Sequence, residues 1–124
     1  MSEAKPLLAI TMGDPAGVGP ELCLKALNSE AVNKCCYPVV FGDAALLERV
    51  AEATQQSFEC KVLKREWSVP FDGDEVGGPS VYDFANVAVD GIQPGIVSAN
   101  TGQASYEYVT SAIELAQKQS VHAL

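Results

Sequence analysis

The chain has 124 residues, 48% apolar and 19% charged, and its eight basic against sixteen acidic side chains give a formal charge of −8. That length fits one ordinary domain able to bury its own core, and the composition argues against disorder and against a membrane-resident chain. The negative balance repels a phosphate backbone and argues against nucleic acid as a partner.

The longest apolar stretches, such as Leu7 to Ile10 and Pro38 to Phe41, fall far short of the ~18–20 residues that cross a bilayer, so no membrane partner is expected. The opening Met1-Ser2-Glu3-Ala4-Lys5 has an early acid and little apolar sequence behind it, unlike a secretory signal; a cytoplasmic location is the expectation. Cys23, Cys35, Cys36 and Cys60 include no C-x-x-C pair, and the adjacent Cys35 and Cys36 are poorly arranged to chelate one ion together. All four read as buried or incidental thiols. With His122 as the single histidine, the chain cannot build histidine-based metal or triad chemistry by itself.

Leu7 to Thr11 reads as a buried parallel strand. After a loop, Pro20 suits a first helical position, and Leu22, Cys23, Ala26 and Leu27 recur at helical spacing, giving a helix to about Asn28 or slightly beyond. Pro38 to Phe41 forms a second strand ending at Gly42. Asp43 is placed to cap a helix whose inward face is Leu46, Leu47, Val50 and Ala51. Phe58 to Leu63 alternates apolar or small Phe58, Cys60 and Val62 with polar residues, as in a third strand. From Glu66 to Gly95 the sequence is mostly loop, with Asp72-Gly73-Asp74 and Gly77-Gly78-Pro79, interrupted by a candidate strand at Ser80 to Phe84.

Asn100 and Gln103 stand three apart as in a capping box, ahead of an apolar stripe of Tyr106, Val109, Ala112, Ile113 and Ala116 in a helix running to about Gln119. Ser120 to Leu124 reads as the start of a further strand. Strands alternating with helices predict a three-layer α/β/α fold with a mostly parallel sheet and right-handed crossovers, whose ligands collect at the carboxyl ends of the strands.

The loop at the first of those ends, ITMGDPAGVGPE from Ile10 to Glu21, has neither the G-x-G-x-x-G spacing of a dinucleotide turn nor the G-K-[ST] ending of a P-loop. A helix N-terminus attracts anions, but Asp14 and Glu21 carry full negative charges there, so a phosphate pressed on this loop is disfavoured. Two readings of the spacing stand side by side. Gly13, Gly17 and Gly19 can simply make a tight strand-to-helix turn, or they can let sugar hydroxyls or a neutral ring approach the backbone while Asp14 accepts hydrogen bonds.

The segment Thr11-Met12-Gly13-Asp14-Pro15-Ala16-Gly17-Val18-Gly19-Pro20-Glu21 closely resembles the opening signature of the 4-hydroxythreonine-4-phosphate dehydrogenase family. A second segment, Pro94-Gly95-Ile96-Val97-Ser98-Ala99-Asn100-Thr101-Gly102-Gln103-Ala104-Ser105-Tyr106, resembles that family's approach to a long helix. The likeness extends over the whole chain, including the strand end Val39-Val40-Phe41-Gly42-Asp43, and is weak from Glu66 to Asp90.

The resemblance implies a fold similar to isocitrate and isopropylmalate dehydrogenases, with two α/β domains flanking a cleft, of which residues 1–124 would be the amino-terminal part of the first. It implies NAD or NADP as cofactor, with Gly13, Asp14, Gly17 and Gly19 lining the cleft near the nicotinamide. The implied reaction is oxidation and decarboxylation of 4-phosphohydroxy-L-threonine on the route to pyridoxal phosphate, or oxidation of a related four-carbon sugar-acid phosphate such as phosphothreonate or phosphoerythronate. A divalent metal would polarise the alcohol, held by histidines later in a longer chain at a homodimer interface.

His122 matches none of those ligands, and Lys61, Lys64 and Lys118 read as solvated charges, so no catalytic residue is carried onto this chain. Such a piece is expected to leave an open sheet edge and an uncovered apolar face, and therefore to self-associate. The competing expectation is a stand-alone α/β module that kept a ligand loop without catalysis; a purely interface-forming subunit would not need so specialised a loop.

Overall fold

The computed structural model describes residues 5–64, 76–96, 98–118, 121 and 123–124. Its elements are β1 (Leu7–Thr11), α1 (Gly19–Leu27), α2 (Glu30–Cys35), β2 (Tyr37–Gly42), α3 (Ala44–Thr54), β3 (Lys61–Lys64), β4 (Ser80–Asp83), a 3₁₀ turn (Val89–Gly91) and α4 (Ala99–Gln117). Asp72-Gly73-Asp74, His122 and the expected helix end at Gln119 lie outside the described residues.

Four strands form one sheet in the order β1-β2-β4-β3, all parallel. The chain steps from β1 through β2 to β3, then turns back to β4. Right-handed crossovers therefore place α1 and α3 on one face and α4 on the other. α1 packs on α3 and β2, while α4 packs on β1 and β2. Both faces of β2 are covered: Val39, Val40 and Phe41 are each 0% exposed, although consecutive side chains of a strand point to opposite faces. The expected three-layer α/β/α arrangement with a parallel sheet is the one observed. A ladder of aromatic rings, Phe41–Tyr82, Tyr82–Phe84 and Phe84–Tyr108, each about 5 Å apart and edge-on, ties β2 and β4 to α4. The final residues begin a further parallel pairing, with Ala123 bridged to Leu8 and the Ala9 N–H donating to the Ala123 carbonyl at 2.9 Å.

Several expectations need correction. Ser29 caps an additional helix, α2, by accepting from the Val32 N–H at 3.2 Å; none of its residues is buried, so it has no apolar periodicity to read. β3 starts at Lys61, and its parity is opposite to that expected: Leu63 is buried and Val62 is 45% exposed. Its register with β4, Val62 opposite Val81 and Leu63 opposite Tyr82, chooses which residue faces inward. Phe58 and Cys60 pack against the core from the irregular segment before it.

The capping box of α4 is formed by Ser98 and Thr101, not Asn100 and Gln103. Ser98 Oγ accepts the Thr101 N–H at 3.2 Å, and Thr101 Oγ1 accepts the Ser98 N–H at 3.0 Å. The helix buries Thr101, Ala104, Tyr108, Ala112 and Leu115, while Tyr106, Val109 and Ile113 from the expected stripe lie exposed along another side. α4 thus has two apolar faces, and sequence spacing cannot tell which one meets the sheet.

Candidate functional site at the carboxyl edge of the sheet

β1, β2 and β4 run parallel, so the loops leaving them gather on one edge, where α/β sheets present their ligand sites. The β1 loop is locked at its root. Met12 is buried, and its N–H donates to the Phe41 carbonyl at 3.0 Å. The Asp14 carboxylate accepts the Ala16 N–H at 2.8 Å, and the Asp14 carbonyl accepts the Gly17 N–H at 2.9 Å, folding Asp14 to Gly17 into an Asx-stabilised turn. α1 then starts at Gly19 with no side-chain cap, Pro20 in its first turn and Glu21 beside it. By helix geometry its first-turn N–H groups lack intrahelical partners.

The four sequence-derived candidates occupy different situations. Gly13 has φ +77°, and the space where a side chain would begin is open, so its backbone conformation and an unobstructed approach are both present. Gly19 is demanded by packing, because a Cβ there would sit 1.9 Å from the Met12 carbonyl oxygen. Gly17 lines a cavity of about 450 Å³ with Val18, Glu21, Val50 and Ala53, while Gly13, Asp14 and Gly19 do not line it. The loop is therefore partly a structural turn and partly an open surface. Asp14 in the loop and Glu21 in the first turn of α1 bring two acidic side chains to this region, which disfavours a phosphate pressed on the loop.

The second signature-like segment meets the first directly. Gly95, at φ +82°, donates its N–H to the Ala16 carbonyl at 2.7 Å. Arg49 of α3 reaches over this region, donating to the Val89 carbonyl and, at 3.3 Å, to that of Ile92. A further cavity of about 350 Å³ lies between Asn86–Ile92 and the start of α4, lined by Ser98, Asn100 and Thr101.

Asp43 departs from its expected capping role. Its carboxylate accepts from the Asn86 N–H at 2.8 Å, the Val87 N–H at 3.3 Å and the Tyr108 hydroxyl, while Asp83 accepts the α3 Ala44 N–H at 3.1 Å in its place. Asp43 is only 2% exposed, and a buried carboxylate needs several donors, more than helix capping would supply. Burial, opposed by those donors and reinforced by the nearby Asp83 charge, holds its carboxyl above the usual aspartate range; burial and the Asp43 contact push the Tyr108 phenol up. The signal for this role was an acid placed directly after a fully apolar strand, which fits a buried acceptor as well as a cap. The role of Arg49 had no sequence signal, since its partners are backbone carbonyls forty residues away.

Among the described residues no three His, Cys, Asp or Glu side chains converge in a way that would hold a metal ion. Cys23 and Cys60 are pushed up to about 11 by burial, which removes them as thiolate nucleophiles near neutral pH. No helix of the described residues is long and apolar enough to cross a membrane.

The profile of the family described as pyridoxal phosphate biosynthetic protein PdxA matches residues 34–124. A Halalkalibacterium halodurans protein provisionally named D-threonate 4-phosphate dehydrogenase is 35% identical over 120 residues, covering 97% of this chain and 35% of that protein. A 4-hydroxythreonine-4-phosphate dehydrogenase structure from Burkholderia phymatum superposes with a TM-score of 0.77 at 34% identity, over 96% of this chain and 35% of its own. One from Klebsiella pneumoniae gives 0.77 at 28%, over 97% and 36%. The chain thus spans about a third of the length of the relatives it matches, which are named as dehydrogenases. The two signature-like segments, the parallel sheet and these matches agree: the chain belongs to the PdxA family.

Proposed function

We propose that residues 1–124 form the amino-terminal part of the first α/β domain of an NAD(P)-dependent dehydrogenase of a phosphorylated four-carbon hydroxy acid, and that the Gly13–Gly19 loop is one wall of its cofactor cleft. The carrying observation is the Gly95–Ala16 hydrogen bond, which joins the two signature-like segments at the carboxyl edge of the sheet. In this reading Gly13 leaves room for the nicotinamide ribose or ring, the free lone pairs of Asp14 accept from its hydroxyls, and Gly17 continues the wall. The nicotinamide, when bound, supplies hydride acceptance. Asp14 and Glu21 turn phosphates away and so orient the cofactor with its ring end toward the loop.

The metal ligands lie outside this chain, the full-length protein is a homodimer, and its location is cytoplasmic. The substrate is 4-phosphohydroxy-L-threonine or D-threonate 4-phosphate, the two acids in the relatives' names; turnover of each by the full-length protein decides between them. The loop assignment is tested by titrating NADH and NADPH fluorescence against Asp14→Ala. Loss of a hydrogen bond to a charged acceptor weakens binding about tenfold or more. Unchanged affinity and kinetics, with unchanged stability, reject the role.

A further inference from the structure

We propose that Arg49 is a positioning residue for the glycine loop: it fixes the 89–96 turn, and that turn fixes the loop through Gly95. The consequence for ligand binding rests on the reading that the loop meets the cofactor; the hold of Arg49 on the loop does not. Its guanidinium donates to two carbonyls, Val89 and Ile92, at the two ends of one 3₁₀ turn, a task for a planar fork that a point-charge ammonium cannot match. The turn is closed by the Ile92 N–H on the Val89 carbonyl at 3.1 Å, and Ile92 itself is buried beneath it.

Directly after it a second turn, closed by the Ile96 N–H on the Gln93 carbonyl at 3.0 Å, aims the Gly95 N–H at Ala16. Ala16 is thereby gripped on both sides, its N–H by the Asp14 carboxylate at 2.8 Å and its carbonyl by Gly95 at 2.7 Å. That grip sets the peptide leading into exposed Gly17. Arg49, Gly95 and Gly17 line the same cavity, so the side chain that ties the turn also borders the space the loop shapes. Arg49 is exposed, so its loss acts locally rather than on the core.

The test uses the full-length protein labelled with ¹⁵N-glycine, following the amide signals of Gly17, Gly42, Gly95 and Gly102. In Arg49→Gln the Gly95 and Gly17 amide protons are expected to shift upfield and to exchange with solvent at least about tenfold faster. Gly42 in β2 and Gly102 in α4 stay as they were, and Arg49→Lys falls between the two. NADH affinity drops several-fold in Arg49→Gln, with partial recovery in Arg49→Lys. Unchanged Gly95 and Gly17 signals overturn the proposal, and so does a uniform change that includes Gly42 and Gly102, which would be general loosening. Local loosening with NADH affinity intact upholds the hold of Arg49 on the loop and refutes the loop as cofactor wall.

Discussion

Replacing Tyr108 by Phe removes one hydroxyl while keeping the ring that packs edge-on to Phe84 at 5.1 Å. The hydroxyl donates to the carboxylate of Asp43, which is almost wholly buried and, among the described residues, has the Asn86 and Val87 N–H groups as its other donors. A hydrogen bond to a charged group contributes about 1.5–3 kcal/mol, against about 1 kcal/mol for a neutral one. The sign with pH follows from Asp43. Its folded carboxyl lies above its ordinary 3.8, chiefly through burial, so the stability it contributes is complete below that value and is lost as pH rises through the folded pKa. Tyr108 is the strongest of the groups holding the carboxyl down, so Tyr108→Phe raises it further and enlarges that loss.

Urea denaturation should therefore show Tyr108→Phe costing about 1 kcal/mol near pH 3, below the ordinary aspartate value, and about 1.5–3 kcal/mol at pH 7. At pH 7 the melting temperature should fall by about 6–12 °C, at about 4 °C per kcal/mol for a domain of this size. Asp43→Asn, which cannot ionise, should flatten the same pH dependence. A cost below about 0.5 kcal/mol at pH 7, the range of unremarkable surface changes, or a cost equal at both pH values, would refute the reasoning.

Gly19→Ala drives a methyl into the Met12 carbonyl and should cost about 3 kcal/mol or more, the upper range for overpacking. Gly13→Ala meets open space and should cost only the about 1–2 kcal/mol of left-handed backbone; equilibrium unfolding of the pair checks the order. Ser98→Ala should remove about 1 kcal/mol with the capping box, while Asn100→Ala should leave thermal stability within about 0.5 kcal/mol; the reverse ranking would restore the Asn100–Gln103 box. In a thiol-labelling time course at pH 8, exposed Cys35 should react first. Buried Cys23, pushed up to about 11, should stay unlabelled until the chain unfolds.

How much of the site was legible depends on the range of the interactions. Leu7–Thr11, Pro20 and the Val39-Val40-Phe41 run announce their elements through local sterics and apolar patterning, and the observed β1, α1 and β2 lie within a residue or so of those expectations. Gly13 and Asp14 are likewise readable, because a left-handed turn and an Asx turn are made by neighbours in the chain.

What the amino-acid order could not settle is everything set by partners far along the chain. Val62 or Leu63 inward depends on register with β4, and the buried side of α4 depends on which of two apolar faces the sheet takes. Asp43 turns from cap to buried acceptor because Tyr108, sixty-five residues on, brings it a donor. Arg49 matters only because backbone carbonyls arrive beneath it. Local sequence determined the elements and the shape of the glycine turn. Long-range packing decided which side chains face one another, since desolvation and hydrogen-bond satisfaction act through space rather than along the chain.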